Sequence, residues 1–131
     1  MEEIVKRRTA LKLAAASLIA GSLTVGTAQA GDTVKIGAVA PKTGPLAGGS
    51  TVTHWPNIHL WVHEVNARGG LKLKDGRKMI ELIEYDDQTN PGVHIKAAQR
   101  LATQDKVDFI VAPYGTGFNL ASAPIYAKHG Y

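Results

Sequence analysis

The chain has 131 residues, with 15 Lys and Arg against 11 Asp and Glu, and no cysteine. Four of the cations (Lys6, Arg7, Arg8, Lys12) and two of the acids fall in the first thirty residues, so residues 31–131 keep 11 cations and 9 acids, a net charge of +2. That balance, without a basic stripe, excludes nucleic acid as the natural partner, and the lack of cysteine excludes disulfides, thiolate catalysis, cysteine metal sites and lipid attachment at an N-terminal Cys.

Residues 1–30 read as an export signal. The cationic start is followed by an apolar run of 14 residues, Leu13 to Gly26, and by Ala28-Gln29-Ala30, the small-x-small pattern of signal peptidase sites. The run is shorter than the roughly 20 residues a spanning helix needs. The expectation is an exported product, cleaved after Ala30 and without a stable membrane anchor. The segment Lys6 to Lys12 also resembles a twin-arginine signal, with Ala10 where a bulky apolar residue is usual, so both export routes stay open.

Thr33 to Ala40 is β-branched and apolar and reads as a strand, stopped by Pro41. Lys42 to Ser50 is a loop rich in Gly and Pro. Pro56 to Ala67 is predicted helical, with Ile58, Trp61, Val62 and Val65 on one face, Pro56 in the first turn and Gly69-Gly70 as the stop. Leu71 to Lys78 carries a tight-turn signal, Asp75-Gly76, and four cations (Lys72, Lys74, Arg77, Lys78) that read as a solvated loop. Met79 to Asp86 is a second strand. Asn90-Pro91 opens a second helix with Ile95, Ala98, Leu101 and Ala102 facing inward. Val107 to Ala112 is a third strand, apolar enough to be buried on both faces. A third helix starts near Gly117 and ends at His129-Gly130, with a kink or split expected at Pro124, which cannot donate to the carbonyl of Leu120.

The order β-α-β-α-β-α predicts an α/β fold, a parallel sheet with flanking helices. Right-handed crossovers give the strand order 2-1-3. Ligands of such sheets bind at the carboxyl ends of the strands where the order reverses. Here that is the crevice between the loop after the first strand, Pro41 to Ser50, and the loop after the third, Pro113 to Asn119.

Several motifs bear on that crevice. Gly44 to Thr51 approaches a P-loop, but Ser50 stands where the phosphate-binding lysine must be, which argues against nucleotide hydrolysis. The expected cofactor set is empty. His59 and His63 are four apart on a helix beside Glu64, with no third ligand evident, so they read as exposed histidines rather than a metal site. Asp86-Asp87 reads as structural, with Thr89 and Asn90 ready to form the following turn and cap. Trp61 falls on the apolar helix face and is expected in the core. Trp55 lies outside that stripe and is expected to flank a ligand. The strongest local chemistry is Pro113-Tyr114-Gly115-Thr116-Gly117-Phe118-Asn119, which leads from a strand into a helix N-terminus. Its free N–H groups suit a carboxylate; Thr116 adds a hydroxyl, Gly115 and Gly117 permit close approach, and Tyr114 offers a ring and a phenol. The same run also reads as a turn capped by Thr116.

Three runs carry a family resemblance: Val34 to Ala40 with Thr43-Gly44-Pro45-Leu46-Ala47; Val65 to Leu71 with Glu84-Tyr85-Asp86-Asp87 and Asn90-Pro91; and Ala123 to Gly130. Together they resemble the start of a periplasmic solute-binding protein of the branched-chain amino acid (Leu/Ile/Val) type, serving an ABC transporter. The resemblance implies two α/β lobes closing on a small polar, amino-acid-like solute, an ABC permease as partner, a monomeric full-length protein and no catalysis. It places Thr116 at the hydroxyl that meets the ligand's carboxylate, with Tyr114 and Gly115 before it, and turns the first loop near Gly48, Gly49 and Ser50 toward the cleft. An aromatic residue common in that loop is absent, and Trp55 is the substitute offered nearby. Relatives of this kind also take amides, urea-like molecules and aromatic acids. Such proteins are much longer, so the expectation is that residues 31–131 form the first part of lobe 1, with the third strand as an unpaired apolar edge. The alternatives are an extracytoplasmic sensing domain of a receptor and a non-functional truncated remnant.

Overall fold

The computed structural model of the chain describes residues 33–131; the export signal and its cleavage site lie outside them. The central strand is β1, Thr33–Ala40, with Val34, Ile36, Ala38, Val39 and Ala40 all buried. It pairs in parallel with β3, Gly76–Asp86, in unbroken register from Thr33↔Met79 to Ala40↔Asp86. On its other side it pairs in parallel with β4, Phe109–Val111. The three parallel strands therefore stand in the expected order, second-first-third.

The sheet is mixed rather than purely parallel. β2, Leu71–Leu73, runs antiparallel to β3 and gives the sheet order β2-β3-β1-β4. The stretch expected as a solvated loop is thus a hairpin. Its Asp75-Gly76 turn, with Gly76 at φ +124°, reverses the chain early enough for Gly76 to Lys78 to extend β3. A second correction concerns β4. It pairs on one side only among the described residues, so Phe109 is 57% exposed and Ile110 and Val111 are half-buried instead of covered on both faces.

Two helices cross one face of the sheet. α1, Ala47–Thr53, lies inside the stretch expected as loop, and His54 joins it to α2, Trp55–Ala67. Thr51 and Thr53 donate their hydroxyls back to the carbonyls of Ala47 and Gly49, i−4 bonds of the kind that bend a helix. The inward stripe of α2 is Trp55, Ile58, Val62 and Val65. The two tryptophans exchange their expected places: Trp55 is buried against Ala38, Ala40 and Ile58, while Trp61 is 43% exposed. Starting the helix one residue earlier than Pro56 puts Trp55 on the stripe, and Trp61, next to Val62, falls at its margin.

The opposite face is covered by α3, Pro91–Arg100, its π-helical continuation Leu101–Asp105, and α4, Thr116–His129. Leu101 and Val107 pack on Val39, and Leu101 lies so close to Gly37 that a Cβ there would sit 2.8 Å from its methyl carbon. Of the expected inner face of α3, Ala98 and Leu101 are buried, Ile95 and Ala102 half-buried, and His94 is fully buried. α4 runs unsplit through Pro124. Leu120, whose carbonyl loses its donor, is 71% exposed, so water can serve that carbonyl. No helix among the described residues is long and apolar enough to cross a membrane.

Candidate functional site

The register Ala40↔Asp86 places the carboxylate of Asp86 at the root of the first loop. It accepts hydrogen bonds from the N–H groups of Lys42 (2.8 Å), Thr43 (3.2 Å) and Gln88 (2.8 Å) and from the Thr43 hydroxyl (2.7 Å). Burial is the largest single influence on Asp86 and raises its pKa. The four donors together outweigh it and hold the carboxyl below its usual range. Asp87 accepts from the Thr89 N–H, and Asn90 caps α3 by accepting from Gly92 and Val93. The structural reading of this acidic pair therefore holds. The turn between them carries Gln88 and Thr89 at φ +57° and +58°, and it presses on Gly44, where a Cβ would meet the Gln88 carbonyl at 2.5 Å.

Beside this turn, Glu84 pairs with Lys42 (2.6 Å) and with Nε2 of His59. Burial raises the Glu84 pKa most, but Lys42 and His59 prevail and lower it. Lys42 also lies 4.5 Å from the Trp55 ring centre, and the Trp55 indole donates to the Pro41 carbonyl at 3.2 Å. His59 is thus tied to a carboxylate. Among the described residues no three His, Asp or Glu gather as a metal site.

The second loop leads into α4 through Gly115, at φ +99°, which takes the capping position expected for Thr116. Thr116 is the first helical residue, exposed together with Gly117. Asn119 reaches back to donate to the carbonyls of Pro113 (2.7 Å) and Gly115 (2.9 Å), a role with no sequence signal beyond an amide at the right offset. Gly115, Thr116 and Gly117 come together with Leu46, Pro91 and Phe118 around a cavity of about 280 Å³. Its walls carry no charged side chain, and its polar groups are main-chain amides and one hydroxyl.

The other expected site residues lie outside that lining. Gly48 is exposed on α1, and Ser50 is fully buried with no partner for its hydroxyl among the described residues. Gly49 lies under Tyr114, whose phenol oxygen would be 2.2 Å from a Cβ at that position. Tyr114 is half-buried and stands edge-on to His54, with ring centres 6.0 Å apart. Burial lowers the pKa of His54. Trp55 is 4% exposed. A larger groove of about 580 Å³ runs along β4 and α4, past Phe109, Tyr126 and Tyr131. It follows the edge of β4 and reaches Ala112 and Pro113 beyond that strand's carboxyl end.

Residues 33–131 match the family model described as periplasmic binding protein. The chain is 29% identical over 97 residues to an amino acid binding protein of Pseudomonas aeruginosa, covering 74% of this chain and 25% of that one. Among solved structures it is similar to the substrate-binding protein of a branched-chain amino acid transporter from Streptococcus pneumoniae in complex with isoleucine. That match has 32% identity and a TM-score of 0.68, and covers 75% of this chain and 27% of the other. It is also similar to a solute-binding protein of an ABC transporter from Rhodopseudomonas palustris in complex with 3,4-dihydroxybenzoic acid, at 32% identity and a TM-score of 0.55, covering 74% and 25%. The chain spans about a quarter of the length of these relatives.

Proposed function

The chain belongs to the periplasmic binding protein family, and from that premise we propose that it is part of the first lobe of an exported protein that captures a small polar solute for an ABC permease. The solute is an organic acid, either an amino acid or a related carboxylate. The carrying observation is the wall formed by Gly115, Thr116 and Gly117 at the start of α4, set at the carboxyl edge of the sheet beside Leu46. Free N–H groups and the positive end of the helix dipole favour a carboxylate there. The three acids of this edge, Glu84, Asp86 and Asp87, are each engaged by protein donors. Leu46, Pro91 and Phe118 offer an apolar surface to the rest of the solute.

In this reading Tyr114 borders the site through its seat on Gly49, with Gly48 and Ser50 on the same short helix. Trp55 supports the first loop from the core. The protein acts in the periplasm after removal of the signal, as a monomer, and its chemistry is binding without turnover. The test is isothermal titration of the natural full chain with L-leucine, L-isoleucine and 3,4-dihydroxybenzoate. Thr116→Ala is expected to weaken the solute that binds by about 1–3 kcal/mol, the range for a hydrogen bond to a charged group. An unchanged dissociation constant would remove Thr116 from the site, and no binding across an extended panel of small organic acids would remove the function.

A further inference from the structure

Nothing in the sequence singles out His94, yet it is fully buried, and so is its partner Asp87, with Nδ1 2.9 Å from the carboxylate. With the Asp87 oxygen as acceptor, Nδ1 is the donor of this bond. Nε2 has no hydrogen-bond partner among the described residues. An apolar residue at this point of α3 would fill the core without burying two polar groups. We propose that the Asp87–His94 pair is a positioning device that sets the spacing of the two loops bordering the candidate cavity.

Each end of the pair is attached to one wall. The second oxygen of Asp87 accepts from the Thr89 N–H (2.9 Å), and its carbonyl accepts from the Asn90 N–H (2.8 Å). These bonds hold Gln88 and Thr89 in the left-handed region, which a β-branched residue adopts only where its surroundings over-determine it. So held, the Thr89 hydroxyl accepts from the Leu46 N–H (3.1 Å) and donates to the Thr43 carbonyl (3.2 Å). Leu46 is one wall of the cavity. At the other end the His94 ring lies 4.8 Å from that of Phe118, in the first turn of α4 directly after Gly115, Thr116 and Gly117. Phe118 also lines the cavity. One buried imidazole thus joins a bond network ending at the first loop to a ring contact ending at the second. The consequence for solute binding rests on the function proposed above; the positioning itself does not.

Two half-variants in the natural full chain separate the two attachments. His94→Asn keeps a donor for Asp87 and removes the ring. His94→Phe keeps a ring for Phe118 and removes the donor. With amide resonances read in the ligand-free protein, His94→Asn is expected to move Gly115 to Phe118 and spare Leu46 and Thr89, and His94→Phe the reverse. If the unpaired Asp87 charge prevents His94→Phe from folding, the double variant Asp87→Asn with His94→Phe takes its place with the same expected pattern. In the wild type, nitrogen shifts should show a protonated Nδ1 and a bare Nε2. Variants that move both loops alike, or neither, would overturn the proposal, as would a protonated Nε2 with a bare Nδ1. With a panel solute that binds, His94→Asn should weaken it roughly 2- to 30-fold. Shifted amides with an unchanged dissociation constant would refute the functional consequence. Wild type that binds no organic acid would strike the solute reading and leave the loop result standing.

Discussion

The two loops of the crevice are held in opposite ways. The first, Pro41 to Leu46, is gripped from outside by groups more than forty residues away in sequence: the Asp86 carboxylate and the Thr89 hydroxyl. The second, Ala112 to Gly115, is held from within four to six residues by Asn119 of the helix it introduces. Parallel pairing explains the asymmetry. β1 and β3 end side by side, so a carboxylate at the end of one strand reaches the loop leaving the other. β4 has only three paired residues, and the chain leaving it must cap itself. The first loop should therefore respond to damage in the neighbouring strand, and the second to damage in α4 or in the His94 ring that packs on it.

Gly44→Ala should break that contrast most severely. It combines a φ of +84° with a Cβ 2.5 Å from a backbone carbonyl that cannot swing aside. The expected loss is roughly 2–4 kcal/mol, left-handed strain plus overpacking, read as a denaturant midpoint shift. A loss below 0.5 kcal/mol, on the order of a neutral surface change, would mean the two loops are not in such close contact. Asp86→Asn comes next, at about 1–2 kcal/mol near neutral pH, because an amide cannot accept from all four donors and the site is only partly buried. Its pH dependence has a definite sign. The folded carboxyl titrates below the unfolded one, so its stabilisation is complete above about pH 4 and is lost as pH falls through the lowered folded value. The wild type and Asp86→Asn should converge in acid; parallel curves down to pH 2, roughly the foot of the carboxylate range, would contradict this.

Asn119→Ala tests the self-held loop, with an expected loss of about 1 kcal/mol and faster amide exchange confined to residues 113–117. This residue also shows where sequence reading stops. The strand order, the helix starting at Asn90-Pro91 and the turn formed by Asp87 to Asn90 were legible, because periodicity, caps and crossover handedness act locally or by general rule. What was missed depends on partners. α1 forms through two glycines because the chain must bridge Leu46 to the buried Trp55. Trp55 and Trp61 exchange roles on a shift of one residue in a helix start. The hairpin of β2 needed Gly76 to be read as strand. At the site, the wall of Gly115 to Gly117 was legible from its glycines and hydroxyl. Leu46 and Phe118 lie in the two loops expected to form the crevice but have no polar group to single them out, and nothing near Pro91 or the buried His94 marks a cavity wall.

The smallest effect sharpens the comparison at a place where the two halves of the crevice touch. His54 joins α1, which follows the first loop, to α2, and its ring meets Tyr114 of the second loop. Its Nε2 is buried with no hydrogen-bond partner among the described residues, and burial keeps its pKa below the ordinary 6.5. The unfolded chain therefore takes up this proton more readily than the folded one. Stability associated with His54 is complete above the ordinary histidine value and declines as pH falls from there through the lowered folded value. That window lies well above the acid limb of Asp86, so the two separate in a single series of thermal melts. His54→Gln should flatten the decline between neutral and mildly acidic pH and leave the acid limb intact. If the decline persists unchanged in His54→Gln, the contact between the loops is not where mild acid acts. If both limbs vanish together, the two loops unfold as one unit and the separation between outside grip and self-capping fails.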